Sequence, residues 1–201
     1  MIRPRHRGRP DPPPARDAVR AFIALELDPG LRARVARLMA DLRPRMTGLR
    51  WGRPDGVHLT LRFLGDTWPS QIERLREVLR PAAARCPRAE VGIGSLGLFP
   101  ERGRPRILWL GLELPEPMLA LQAACEAAAV AAGFPRETRP FSPHLTLGRW
   151  RERASRPELP PIDLGRAPLD TLVLFRSELR PDGALYTPIE RLELGEGRGP
   201  D

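Results

Sequence analysis

One tetrapeptide occurs twice in the chain, as His58-Leu59-Thr60-Leu61 and as His144-Leu145-Thr146-Leu147. The first copy continues through Arg62-Phe63-Leu64-Gly65, whereas the second reaches its glycine at once, at Gly148. The sequence holds three histidines, and the third, His6, lies in an N-terminal stretch of prolines and arginines. In a β-strand, residues i and i+2 point to one face. Each copy therefore offers an imidazole and a hydroxyl on one side and two leucines on the other, where a core would take them. Two strands built alike predict a duplicated fold with a two-fold-related site.

The side chains say what such a site can do. Histidine has an ordinary pKa near working pH, so a pair can serve as acid and base. Threonine hydroxyls donate hydrogen bonds to anionic oxygens. An acid, a base and two donors suit phosphodiester cleavage without a metal. A single histidine on a half-buried strand is usually a satisfied core residue. Two in duplicated tetrapeptides, with no other in the folded region, reverse that balance. Zinc usually needs three or four protein ligands, and neither tetrapeptide contains Cys, Asp or Glu. No metal and no cofactor is expected.

A chain of 201 residues with 41% hydrophobic content can form one domain or two small lobes around a continuous core. All 33 basic residues are arginine, and no lysine or asparagine occurs. Such usage fits the codon bias of a GC-rich genome. The net charge of +8 therefore permits an RNA-binding surface but does not argue for one. Cys86 and Cys125 are too few for a disulfide framework and read as cytosolic thiols. No apolar run of roughly 18 residues occurs, so no membrane span is expected. The basic N-terminus lacks the apolar segment of a secretory signal. These features predict a cytoplasmic protein.

Residues 1–17 hold Pro4, Pro10, Pro12, Pro13 and Pro14 among arginines and read as a disordered tail. Residues 18–195 read as one bilobal domain and 196–201 as a flexible end. Strands are expected at 20–27, 57–64, 89–96, 106–113, 143–149, 170–178 and 184–194. The last two form a hairpin around Pro181-Asp182-Gly183. Helices are expected from Pro29 to about Leu42, from Pro69 with Ile72, Leu75 and Leu79 at helical spacing, and from Pro117 to Ala132. Gly65-Asp66 is expected to end the first motif strand, and residues 157–168 to be a proline-rich connection. The fold class is α+β, with helices outside antiparallel sheets and a cleft between two lobes. Gly92-Ile93-Gly94 is a lone fragment of a nucleotide-binding fingerprint and reads better as strand glycines.

The paired motifs resemble the His-x-Thr-x signatures of the 2H phosphoesterases, and in particular the bacterial and archaeal RNA 2',3'-cyclic phosphodiesterases, historically called 2'-5' RNA ligases. Residues 20–27 resemble that family's opening strand and residues 104–111 its middle strand. Arg139-Pro140-Phe141-Ser142-Pro143 is similar to its approach to the second motif, and Tyr186-Thr187-Pro188 to its last strand. The likeness spans roughly residues 20–194.

The resemblance implies a two-lobed 2H fold and, as partner, RNA or a nucleotide bearing a 2',3'-cyclic phosphate. It further implies a 2'-phosphomonoester product, His58 as proton donor to the leaving oxygen and His144 as proton acceptor from water. The near-symmetry of the motifs leaves the two roles interchangeable on physical grounds alone. Thr60 and Thr146 should grip the non-bridging oxygens. Arg149 matches the family's arginine after the second motif. Strand parity opposes it, unless Gly148 marks a bulge that re-aims the chain. Arg62 has the parity of His58 and Thr60 and should face the cleft. Phe22 and Tyr186 are candidates to stack the terminal base, while Phe63, Trp109 and Phe141 should fill core. A monomer is expected. The reverse ligase reaction uses the same residues, and a non-catalytic nucleotide-binding module is the other alternative.

Overall fold

The computed structural model describes residues 17–152, 154–180 and 183–195. The expected N-terminal tail (Asp17 apart), the expected flexible C-terminus and the hairpin turn at 181–182 lie outside the described residues. In chain order the elements are β1 (Val19–Glu26), α1 (Pro29–Leu42), β2 (Leu49–Trp51), β3 (His58–Thr67), α2 (Pro69–Arg85), β4 (Ala89–Phe99), β5 (Ile107–Glu113), α3 (Glu116–Ala131), β6 (His144–Trp150), β7 (Asp163–Leu169), β8 (Thr171–Arg180) and β9 (Gly183–Glu193).

Local chemistry explains the helix starts. Asp28 caps α1, its carboxylate accepting from the backbone N–H of Gly30 at 2.7 Å and of Leu31 at 3.2 Å, and Pro29 takes the first helical position. Leu31, Val35, Leu38, Met39 and Leu42 form its buried stripe. Pro69 likewise opens α2, where Leu75 and Leu79 are buried.

The strands form one sheet in the order β7-β4-β5-β6-β3-β1-β8-β9, with β2 added alongside β6. Every named strand pair is antiparallel. The order is a palindrome about its centre, where β3 and β6, the two motif strands, meet at Leu59↔Leu145. The duplication read from the sequence is thus built into the topology as two four-stranded halves, β3-β1-β8-β9 and β6-β5-β4-β7. The helices exchange sides. From α1, Arg34 donates to the carbonyls of Leu164 and Arg166 in β7, and α3 packs behind β3. The motif leucines Leu59, Leu61, Leu145 and Leu147 are all buried in the main core.

Both motif strands carry a bulge, and in the same place. Between β1 and β3 the register steps from Ile23↔Arg62 to Ala24↔Thr60, which leaves Leu61 unpaired. Between β5 and β6 it steps from Leu108↔Gly148 to Trp109↔Thr146, which leaves Leu147 unpaired. An extra residue reverses the alternation beyond it. The sixth residue of each motif, not the fifth, therefore joins the face of the histidine and threonine.

Two expectations change. The first motif strand runs past Gly65 to Thr67, and residues 163–169 of the proline-rich connection form edge strand β7. An edge strand tolerates Pro168 because its N–H side need not enter the ladder.

Candidate active site

A cleft of about 710 Å³ lies over the junction of β3 and β6. His58, Thr60, His144 and Thr146 all line it. The antiparallel register through Leu59↔Leu145 sets each histidine beside the other strand's threonine.

The two imidazoles are held alike. Nδ1 of His58 donates to the Gly56 carbonyl at 2.8 Å, and Nδ1 of His144 donates to the Ser142 carbonyl at 2.7 Å. A carbonyl can only accept, so Nδ1 carries hydrogen in both rings, and Nε2 is the nitrogen available to a substrate.

Their surroundings differ. His58 stacks on Phe22 with ring centroids 4.7 Å apart and meets the edge of Tyr186 at 5.1 Å. Phe22 in turn stacks on Phe175 at 5.1 Å. Burial in this aromatic box pushes the His58 pKa down to about 4; the Gly56 carbonyl and the Glu26 carboxylate oppose the fall, and His144 adds to it. Glu26 stands opposite His58 in the β1–β3 register and is held by Arg191 at 3.0 Å. His144 packs against Phe99 at 5.1 Å and Trp109 at 6.2 Å. Burial holds its pKa below the ordinary histidine value, with the Ser142 carbonyl opposing and the Arg149 guanidinium contributing.

Arg149 lines the cleft. The bulge that re-aims it lies at Leu147, one residue before the glycine expected to supply it. Gly148 serves another purpose: a Cβ there would stand 2.8 Å from Leu49 Cγ and 2.9 Å from the Arg50 carbonyl, so only glycine lets β2 lie this close.

Arg62 does not reach the cleft. Its side chain is buried on the opposite face, where Nε pairs with Glu126 of α3 at 2.5 Å. The guanidinium also donates to the carbonyls of Phe63 and Pro135. The bulge at Leu61 inverts the parity on which the cleft-facing expectation stood.

The aromatic expectations shift as well. Phe22 lines the cleft but is only 3% exposed, so its ring is occupied by neighbouring rings and has no open face for a base. Tyr186 is half-buried, lies in the cleft wall and packs within 3.5 Å of where a Gly56 side chain would start. Phe63, expected in the core, is 57% exposed in the cleft. Trp109 is half-buried beside His144 and covers Gly97, where any Cβ would collide with its ring at 1.9 Å. Phe141 packs against the core as expected. Sequence reasoning missed Phe175, Phe99 and Glu26. Phe175 falls on the cleft face through its register with Phe22, which the sequence alone does not give.

Among the described residues, no group of three His, Cys, Asp or Glu side chains converges as a metal site. No helix among them is long and apolar enough to cross a membrane.

Comparison with known proteins agrees with this geometry. The sequence profile of the LigT-like phosphoesterases matches residues 25–109 and again 112–186, with one motif histidine in each match. A Methanothermobacter thermautotrophicus protein named RNA 2',3'-cyclic phosphodiesterase is 34% identical over 183 residues, which cover 88% of this chain and 99% of the relative. The Thermus thermophilus protein of that name is 31% identical over 190 residues, covering 88% of this chain and 90% of the relative. A Thermus thermophilus crystal structure superposes with a TM-score of 0.79 at 30% identity, covering 90% of this chain and all 100% of the other. Apo LigT of E. coli superposes with a TM-score of 0.77 at 25% identity, covering 89% and 99% of the two chains. With the family profile matched over two successive stretches and both histidines facing one cleft, this chain belongs to the LigT-like phosphoesterase family.

Proposed function

We propose that the protein hydrolyses 2',3'-cyclic phosphate ends of RNA or nucleotides to 2'-phosphomonoesters by metal-independent two-histidine catalysis. The observation that carries this reading is the matched pair of imidazoles, each locked at Nδ1 by the carbonyl two residues before it. Such rings can exchange protons with a substrate only through Nε2, one on each side of the two-fold axis. The shared name of the relatives supplies the substrate class.

In the proposed reaction a water oxygen attacks phosphorus and gives its proton to Nε2 of His144. The bond from phosphorus to O3' breaks, and protonated His58 delivers its Nε2 proton to the departing oxygen. Negative charge grows on the non-bridging oxygens, where the Thr60 and Thr146 hydroxyls and the Arg149 guanidinium offer donors. Each turnover leaves His144 protonated and His58 neutral, so solvent must reset both. Burial lowers the His58 pKa strongly, so once the charge of an anionic substrate lets it take a proton from solvent it gives that proton up readily, which suits the donor role.

The test is incubation with 2',3'-cyclic AMP and with an oligonucleotide ending in a cyclic phosphate, both in EDTA, with identification of the isomer formed. The 2'-phosphate is expected. The 3'-phosphate would exchange the roles of the histidines, and activity that needs added metal would overturn the mechanism. Binding without phosphomonoester release would mark a non-catalytic module. A joined product on adding 5'-hydroxyl RNA would mark the ligase reaction.

A further inference from the structure

The two motif histidines face different partners across their strand pairs. Opposite His58 stands Glu26 of β1, and opposite His144 stands Gly111 of β5. The two places are equivalent, because Leu25↔Leu59 and Leu110↔Leu145 adjoin them in the same register. Directly paired residues hold their Cβ atoms roughly 4.5–5.5 Å apart, so one histidine has a carboxylate for a neighbour and the other has none. Gly111 is closed to any side chain: a Cβ there would stand 2.6 Å from Ser95 Oγ and 3.0 Å from the Gly94 carbonyl. Ser95 reaches this spot from a bulge in β4, at a φ of 60°. The sixth motif residue adds a charge of the other sign on the other side. It is Arg149 on the His144 strand and the uncharged Phe63 on the His58 strand, and both line the cleft.

A carboxylate is costly in this place. The cleft is lined by Arg20, Arg32, Arg50, Arg53, Arg149 and Arg191 and suits an anion, which Glu26 repels. Its structural worth is small, since the ion pair with Arg191 of β9 joins a half-buried side chain to an exposed one. Arg191 grips both carboxylate oxygens, at 3.0 and 3.2 Å, and Nδ1 of His58 is bound to the Gly56 carbonyl. What reaches His58 from Glu26 is therefore its charge. The other titratable groups facing the ring are His144 of β6 and Tyr186 of β9, while Phe22 and Phe175 carry no charge. Two carboxylates line the cleft among the described residues, Glu26 and Asp55, and Glu26 is the one that acts on His58.

We infer that Glu26 divides the two roles between the histidines: it is the positioning residue that favours a proton on His58, which makes that ring the acid and leaves His144 as the base. This rests on the reading of the site as one for cyclic phosphate ends. An imidazolium at His58 is drawn to the carboxylate one strand away, whereas at His144 the Arg149 guanidinium repels it. Burial among aromatic rings works against a charged His58. Without a compensating charge the buried ring would be the poorer proton carrier. Glu26 supplies that charge at a position that the other half closes with glycine, and Arg191 offsets part of it.

The test follows the titration of the His58 imidazole by NMR in the free protein, together with kcat and KM for 2',3'-cyclic AMP against pH. Glu26→Gln should titrate His58 at lower pH than wild type, and Arg191→Gln, which removes the offsetting cation, at higher pH. Glu26→Asp, which keeps the charge, should stay near wild type. Opposite shifts from the two ends of one ion pair are not expected of a merely structural contact. On the alkaline side of the profile, where the rate follows the protonated fraction of the acid, Glu26→Gln should lower kcat roughly 10-fold, the lower end for an opposite charge nearby. KM should not rise, because an anionic substrate no longer meets the carboxylate. If wild type hydrolyses no cyclic ester, the functional reading fails, while the titration still decides the role of Glu26. An unmoved His58 titration in Glu26→Gln would overturn the inference. So would a loss in KM alone, which would reduce Glu26 to a clamp that holds Arg191 for the substrate.

Discussion

The two motif strands begin as copies and end as opposites. From His58 and from His144 the first six residues follow one burial sequence: half-buried, buried, half-buried, buried, buried, exposed. The fifth residue is an arginine on one strand and a glycine on the other, and the sixth is a phenylalanine on one and an arginine on the other. Positions one to three, which carry acid–base chemistry and hydrogen-bond donors in the proposed mechanism, are the same in both halves. A phosphate bound near the axis would meet nearly two-fold surroundings. A nucleoside flanking it would not, and there the halves differ. On the proposed function, symmetry holds where the reacting group is close to symmetric and ends where the substrate becomes chiral and one-sided.

The largest expected effect tests the shared part. His58→Ala and His144→Ala should each lower turnover by roughly 10²–10⁴-fold, the usual worth of general acid or base catalysis. The double variant should lose much less than the product of the two, because the residues act as a unit. Near wild-type turnover in either single variant would remove that half from the chemistry.

The next contrast lies between two arginines whose roles the bulges separate. Arg62→Ala should strip the partly buried Glu126 carboxylate of its ion-pair partner and leave it the Glu137 backbone N–H, a loss of about 3 kcal/mol of stability, the lower end for breaking a buried ion pair. Arg149→Ala should change stability by about 0.5 kcal/mol or less, as surface substitutions do. Its effect should fall on kcat/KM, roughly 10- to 150-fold for a lost hydrogen bond to a charged group. Urea denaturation and initial rates on both variants measure the contrast. A stable, catalytically crippled Arg62→Ala would mean that the guanidinium does reach substrate.

These arginines also show where the sequence stops being legible. The duplicated tetrapeptide, the helix starts at Pro29 and Pro69, and the antiparallel α+β layout can all be read from spacing and capping chemistry. Whether position 62 faces cleft or core depends on one unpaired residue, Leu61. Its carbonyl accepts from Gln122 Nε2 at 3.5 Å, and Arg62 beside it is anchored by Glu126. Both partners lie on α3, about sixty positions away in the chain, beyond the reach of any local pattern. Phe63 was misread with Arg62, since one slip inverts both. Strand β2 has three residues and pairs only with β6, too little for periodicity to show.

The smallest effect concerns protons, and it sharpens the one difference between the two histidines themselves. Their ordinary pKa of about 6.5 would put the activity optimum between about pH 6 and 8. Burial in the cleft lowers both values, His58 to about 4, so at pH 7 the His58 ring is neutral. An anion bound between them favours their charged forms. Binding of 2'-AMP at pH 7 should therefore take up close to one proton per complex, read as a dependence of calorimetric heat on the ionisation enthalpy of the buffer. For the same reason the alkaline limb of kcat/KM, which reports the free enzyme, should lie at lower pH than that of kcat. Stability should respond with a definite sign. The unfolded chain binds a proton at His58 more readily than the folded one, so the folded state is fully favoured above about pH 6.5 and loses stability as pH falls towards 4. With His58 as donor, proton uptake should vanish in His58→Ala and persist in His144→Ala. The opposite result would keep the site and exchange the two roles, and uptake in neither the variants nor the wild type would mean that the acid already holds its proton before substrate arrives.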